Sequence, residues 1–178
     1  MKSANKQNSA PQRATPHQHT PESNSPVRPP WALSESLFRN ACNRCDDCIK
    51  ACPQQILFRD NDGYPVIQFS TSGCTFCAEC LESCQQGALH GLRSDIEQAW
   101  IHLVRIDHHC LAISGVSCHA CSEQCEVNAI DFLSQQRIRS LPVINRRACI
   151  GCGQCIAACP ANAISLYKMI DRPAVVRI

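Results

Sequence analysis

Large apolar residues are nearly missing from residues 1 to about 27, where Ser, Asn, Gln, Pro and His dominate. Such a stretch cannot bury enough surface to offset the entropy of ordering it, so a disordered tail is expected over 1–30. It gives way at Arg28-Pro29-Pro30-Trp31, where two prolines force extended backbone and the Trp supplies an anchor. His17 and His19 read as solvated tail histidines. Beyond the tail, apolar pairs recur as Ile56-Leu57, Ala88-Leu89, Ala129-Ile130 and Ala163-Ile164. Each pair predicts a short strand or a core contact. Pro65–Phe69 and Leu141–Asn145 read as extended runs, and Asp60-Asn61-Asp62-Gly63 as a turn between strands. Between 93 and 107, Ile96, Ala99, Trp100 and Leu103 lie three or four apart. That spacing predicts a short amphipathic connecting helix with Trp100 in the core.

The apolar pairs keep step with a repeat in cysteine. Each stands four and five residues after the last Cys of a motif. The first motif is Cys42, Cys45, Cys48 and Cys52; the second is Cys74, Cys77, Cys80 and Cys84; the fourth is Cys149, Cys152, Cys155 and Cys159. All three are C-x2-C-x2-C-x3-C. The third, Cys110, Cys118, Cys121 and Cys125, has a longer first gap. The spacing between motifs groups them in pairs. The expected fold is α+β, with two tandem bacterial-ferredoxin-like units at 31–92 and 108–170, a connecting helix at 93–107 and a C-terminal tail at 171–178.

Composition sharpens this picture. The four motifs use all 16 Cys of the 178 residues. Those Cys inflate the 44% hydrophobic fraction, and aromatics reach only 5%, so the core is thin without cross-links or metals. No apolar run is long enough for a membrane span. The first 30 residues lack the apolar middle of a secretory signal, so a cytoplasmic protein is expected. In that reducing compartment stable disulfides are rare and many Cys read as metal ligands. The net charge of +2 offers no basic face for nucleic acid.

Three Cys spaced by two residues wrap one loop around an iron–sulfur cube, and the fourth serves the other cube of a pair. The crossed pattern predicts four sets: Cys42, Cys45, Cys48 with Cys84; Cys74, Cys77, Cys80 with Cys52; Cys110, Cys118, Cys121 with Cys159; and Cys149, Cys152, Cys155 with Cys125. Three [4Fe-4S] clusters rest on regular motifs and the fourth depends on Cys110. Free Cys110, with that cluster missing or holding three irons, is the competing reading. His108, His109 and His119 lie nearby and read as exposed loop residues rather than ligands. Zinc held by four thiolates competes weakly, because it prefers two separated C-x2-C pairs. Gly151 and Gly153, and Asn43, Asp46 and Asp47, are the residues expected to let the loops bend. Four cubes at about −2 each would take the formal +2 to about −6. Arg146 and Arg147 read as a solvated pair beside Cys149. No catalytic set, phosphate loop or dinucleotide fingerprint is present, so no enzyme activity of its own is expected.

The wider pattern resembles the NapF family of ferredoxin-type accessory proteins of periplasmic nitrate reduction. The resemblance rests on Arg28-Pro29-Pro30-Trp31, Cys42-Asn43-Arg44-Cys45-Asp46-Asp47-Cys48, Gly63-Tyr64-Pro65, Cys74-Thr75-Phe76-Cys77, the long-gap third motif and Cys149-Ile150-Gly151-Cys152-Gly153. It covers roughly residues 28 to 166. The long Pro-rich tail departs from the family pattern. The resemblance implies a cytoplasmic protein that binds the precursor of the nitrate reductase catalytic subunit NapA before export and helps insert or reduce its cluster. A polyferredoxin that delivers electrons to a respiratory or metabolic oxidoreductase is the alternative.

Overall fold

The computed structural model describes residues 26–135 and 139–168. The expected tails beyond these bounds, with His17 and His19, lie outside the described residues. Residues 27–30 do not belong to a tail. The Val27 carbonyl accepts from the Ile67 amide at 2.8 Å, and Arg28, Pro29 and Pro30 are buried.

Among the described residues, six short helices and six strands carry the repeat. In the first unit, α1 (Glu35–Ala41) precedes the first motif, α2 (Asp47–Ala51) carries Cys48, and β1 (Leu57–Arg59) pairs antiparallel with β2 (Pro65–Ile67). α3 (Glu79–Glu82) carries Cys80. The turn at 60–63 is as the sequence predicts. Asp60 Oδ1 accepts from the Asp62 and Tyr64 amides, and Gly63 takes a φ of 83°. Helix α1 was not apparent from the pattern. Its Phe38 is 1% exposed, which stabilises the unit by roughly 1.5–3 kcal/mol. The α1 helix ends where Cys42 donates to the Phe38 carbonyl at 2.8 Å.

Arg28 ties this unit together. Its guanidinium donates to both Glu35 oxygens at 2.8 and 2.6 Å, to Asp60 Oδ2 at 2.8 Å and to the Pro65 carbonyl at 3.2 Å. It also lies over the Phe38 and Tyr64 rings. Burial opposes its charge, but the two carboxylates outweigh burial and hold its pKa above the ordinary value.

The connecting helix is corrected. Only α4 (Ile96–Ala99) is helical, and β3 (His102–Ile106) follows and pairs antiparallel with β6 (Ile164–Lys168). Leu103 and Val104 are 1% and 3% exposed, and five residue pairs from His102↔Lys168 to Ile106↔Ile164 hold the segment extended. β3 is therefore the opening strand of the second unit, which starts before residue 108. Its Ile106↔Ile164 pair matches the Ala32↔Leu89 bridge of the first unit. The rest of the second unit is α5 (Ala120–Glu123), β4 (Ile130–Gln135) paired antiparallel with β5 (Arg139–Ile144), and α6 (Gln154–Ala157).

The recurring apolar pairs are all core. Ile56, Leu57, Ala88, Leu89, Ala129, Ile130, Ala163 and Ile164 are each at most 6% exposed. Trp100, 3% exposed, stacks on Phe69 and meets Phe76 edge-on. No helix among the described residues is long and apolar enough to cross a membrane.

Candidate iron–sulfur centres

The regular motifs share a backbone signature. Two residues in each take positive φ, at the second and fourth positions after the first Cys. They are Arg44 and Asp46 (62° and 67°), Phe76 and Ala78 (53° and 64°), and Gly151 and Gly153 (72° and 80°). Alternating left-handed residues turn successive amides toward one concavity, a nest for an anionic group. Asn43 and Asp47 are not among them. Of the expected bending residues, Asp46, Gly151 and Gly153 take that role. Arg59 pairs with Asp46 and holds its side chain across to β1. The third motif departs here too: His119, next to its second Cys, has a φ of −129°. A further positive-φ residue follows every motif, three places after its last Cys: Gln55, Gly87, Asn128 and Asn162. It starts the turn that brings each apolar pair into the core.

The helices that follow the loops then bring thiols of different motifs together. One cavity is lined by Cys42, Cys45, Cys48 and Cys84. A second is lined by Cys74, Cys77, Cys80 and Cys52. Three thiols from one loop and one from the other enclose each space. Burial, and then nearby Cys42, Cys84 and Cys45, push the Cys48 thiol up to about 12. Cys74 and Cys80 are likewise pushed up to about 12, first by burial and then by neighbours that include Cys52 and Cys77.

In the second unit, too, thiols of different motifs are neighbours. Burial pushes Cys155 up to about 12, aided by Cys152, Cys149, Cys121 and Cys125. Burial also raises Cys152, with Cys149 and Cys125 as neighbouring thiols. Cys121 is pushed up to about 11 by burial, then by Cys110 and Cys118. Cys110 itself is buried, and Cys159 packs against the same apolar cluster. The insert that follows Cys110 coils back: Ser114 donates to the Cys110 carbonyl and Val116 to the Leu111 carbonyl, at 3.1 and 3.0 Å.

Backbone amides also reach sulfur. Phe76 donates to Cys74 Sγ at 3.4 Å, Ala129 to Cys125 Sγ at 3.2 Å and Ala163 to Cys159 Sγ at 3.3 Å. Such bonds stabilise charge on a thiolate and tune the potential of a centre it holds.

This donor set fits a [4Fe-4S] cube. Four soft sulfurs surround one space, and burial, then like-charge repulsion, keeps Cys48, Cys74 and Cys80 protonated until a metal centre displaces the protons. Trp31 also lines the second cavity, and its buried indole Nε1 has no hydrogen-bond partner among the described atoms. Such a donor suits a ligand that carries acceptors. Outside the cages, Asp107, His108 and His109 gather at the surface, where Asp107 Oδ1 lies 3.2 Å from His109 Nδ1.

Comparison with known proteins agrees with this geometry. Residues 41–89 and 116–163 each match a 4Fe-4S dicluster domain model. The second match starts after Cys110, so its placement beside Cys121 comes from the structure alone. The chain is 37% identical over 139 residues to the ferredoxin-type protein NapF of Escherichia coli K12, covering 78% of this chain and 83% of that protein. The chain belongs to the NapF family. The NapF protein of Haemophilus influenzae is 36% identical over 143 residues, 80% of each chain. The methylamine utilization ferredoxin-type protein MauM of Methylophilus methylotrophus is 32% identical over 150 residues, 76% of this chain and 66% of that one. Membership of the NapF family makes this an iron–sulfur protein with two dicluster domains.

The eight predicted Cys of the first unit therefore line two cavities that cross between motifs, and in the second unit Cys125 neighbours the fourth motif and Cys110 neighbours Cys121. The sequence did not disclose Arg28 as the organiser of the first unit, nor the close approach of Gly73 and Phe69 to the fourth motif. The Arg-Pro-Pro-Trp segment was the available signal for the first. Nothing local to the chain marks the other two.

Proposed function

We propose that this NapF-family protein acts in the cytoplasm on the precursor of the nitrate reductase catalytic subunit NapA, before its export, and assists its maturation by cluster insertion or reduction. Four [4Fe-4S] clusters, each held by three thiolates of one motif and one of its partner motif, are the working part. Bound there, they supply one-electron chemistry. The chain's own residues orient the thiolates, exclude water with the buried apolar pairs and donate amides to sulfur. The reading is supported above all by likeness to NapF proteins over about four-fifths of both chains. No catalytic set of its own is assigned, so substrate chemistry is left to the partner.

Deleting the gene tests this. A maturation role leaves NapA at normal abundance but inactive with artificial donors and poor in cofactor. The second reading, a polyferredoxin electron carrier, is favoured by a contact between the second and fourth motifs, where the Cys74 amide donates to the Cys152 carbonyl. It leaves purified NapA fully active with artificial donors.

A further inference from the structure

The two units meet at their cysteine loops. The Cys74 amide donates to the Cys152 carbonyl at 2.7 Å, and the Gly73 amide donates to Gln154 Oε1 at 3.1 Å. This approach requires glycine. A Cβ on Gly73 would stand 2.6 Å from the Gln154 amide nitrogen and 2.7 Å from the Cys152 oxygen. A Cβ on Gly153 would overlap the Phe69 ring, and Phe69 stacks on Trp100. Thus the second loop, from the first unit, is seated directly on the fourth loop, from the second.

Within each unit the neighbours differ. Helix α2 packs on α3 and helix α5 on α6, which sets Cys48 beside Cys80 and Cys121 beside Cys155. The order of neighbouring cages is therefore first motif, second, fourth, third.

We propose that the Cys74–Cys152 junction joins the two dicluster units into one redox chain, with the second and fourth cages as its inner pair and the first and third as its ends. An electron lost on one side of the junction is gained on the other, with no bond made and no proton moved. Exchange with a partner takes place at the ends, where Cys45 is exposed. Gly73, Gln154 and Phe69 are positioning residues: they hold one loop against the other and bind no cofactor. The inference rests on the cluster-binding reading but on neither choice of partner.

The test uses full-length holoprotein, reduced anaerobically and read by electron paramagnetic resonance. A Cys45→Ala/Cys118→Ala variant removes one thiol from each end cage and leaves an inner pair whose members belong to different units. The expected spectrum is split or broadened by coupling between them. Gly73→Val in that background is expected to remove the coupling with iron content unchanged. Two sharp, uncoupled signals before the Gly73 change, with absorbance confirming both inner clusters, would overturn the proposal. If the double variant loses its inner clusters, the comparison moves to otherwise wild-type protein. There Gly73→Val and the milder Gln154→Ala are each expected to raise the ease of power saturation at full iron content, and no change in either overturns the junction. Wild-type protein that binds no iron fails at the earlier step, the cluster-binding reading itself.

Discussion

Cys48 and Cys84 line the same cavity although they belong to different motifs. Cys52 makes the reverse exchange and joins Cys74, Cys77 and Cys80. In the first unit the last Cys of each motif therefore lines its neighbour's cavity. Cys84→Ser is expected to damage the centre of the first loop, not of the second. A Cys84→Ser/Cys45→Ser double variant should then lose no more iron than the more affected single variant. Cys84→Ser/Cys77→Ser should lose iron from two centres, because its losses are independent. Iron and sulfide analysis of anaerobically purified protein checks this. The opposite pairing of losses would mean that each loop keeps its own fourth Cys.

Cys110 is the thiol that the family model leaves out and the structure places beside Cys121 and Cys159. Cys110→Ser is expected to lower iron content at the third centre while the other three persist. A variant that kept its full iron content would remove Cys110 from the ligand set.

Burial and mutual repulsion push Cys48, Cys74, Cys80 and Cys155 up to about 12. Raised thiol pKa values favour the metal-free fold while the thiols are neutral. That contribution is complete below the ordinary thiol pKa of about 9 and is lost as pH climbs toward about 12. Cluster assembly runs the other way, because each thiol must give up a proton. Reconstitution of metal-free protein should therefore release protons and should be more complete at pH 8.5 than at about pH 6.5. Equal yields, with no acid released in weakly buffered solution, would contradict the protonated starting state.

Arg28 bridges Glu35 on α1 and Asp60 in the β1–β2 turn. Arg28→Ala strands a shielded Asp60 and unfastens α1, and should destabilise the holoprotein by roughly 2–4 kcal/mol. Arg28→Lys should recover only part of this, since a single ammonium cannot replace the two-pronged contact with Glu35. Denaturant unfolding monitored by cluster absorbance gives both values. A loss below about 1 kcal/mol for Arg28→Ala would reduce the site to an ordinary surface ion pair.

Much of the site was legible because its signals are local. The spacing of Cys74, Cys77 and Cys80 states which thiols share a loop, and the turn at Asp60–Gly63 is written in four consecutive residues. Strand β3 was not legible, since Ile96, Ala99, Trp100 and Leu103 fit helical spacing. What overrides that spacing is the partner strand β6, far along the chain. The positive φ of Arg44 and Phe76 was equally hidden. Neither residue type favours that region, so the loop imposes it. The seat of Gly73 against Cys152 depends on the packing of two units and leaves no pattern in either.

Capture of the NapA precursor from cytosol under anaerobic conditions tests the central functional claim most directly. Wild-type protein and a Cys48→Ser variant are compared, with cluster content read by absorbance. The account predicts capture by wild type and weaker capture by the variant, which would tie recognition to the loaded first unit. No capture by wild-type protein carrying intact clusters would contradict the maturation role and leave a diffusing electron carrier.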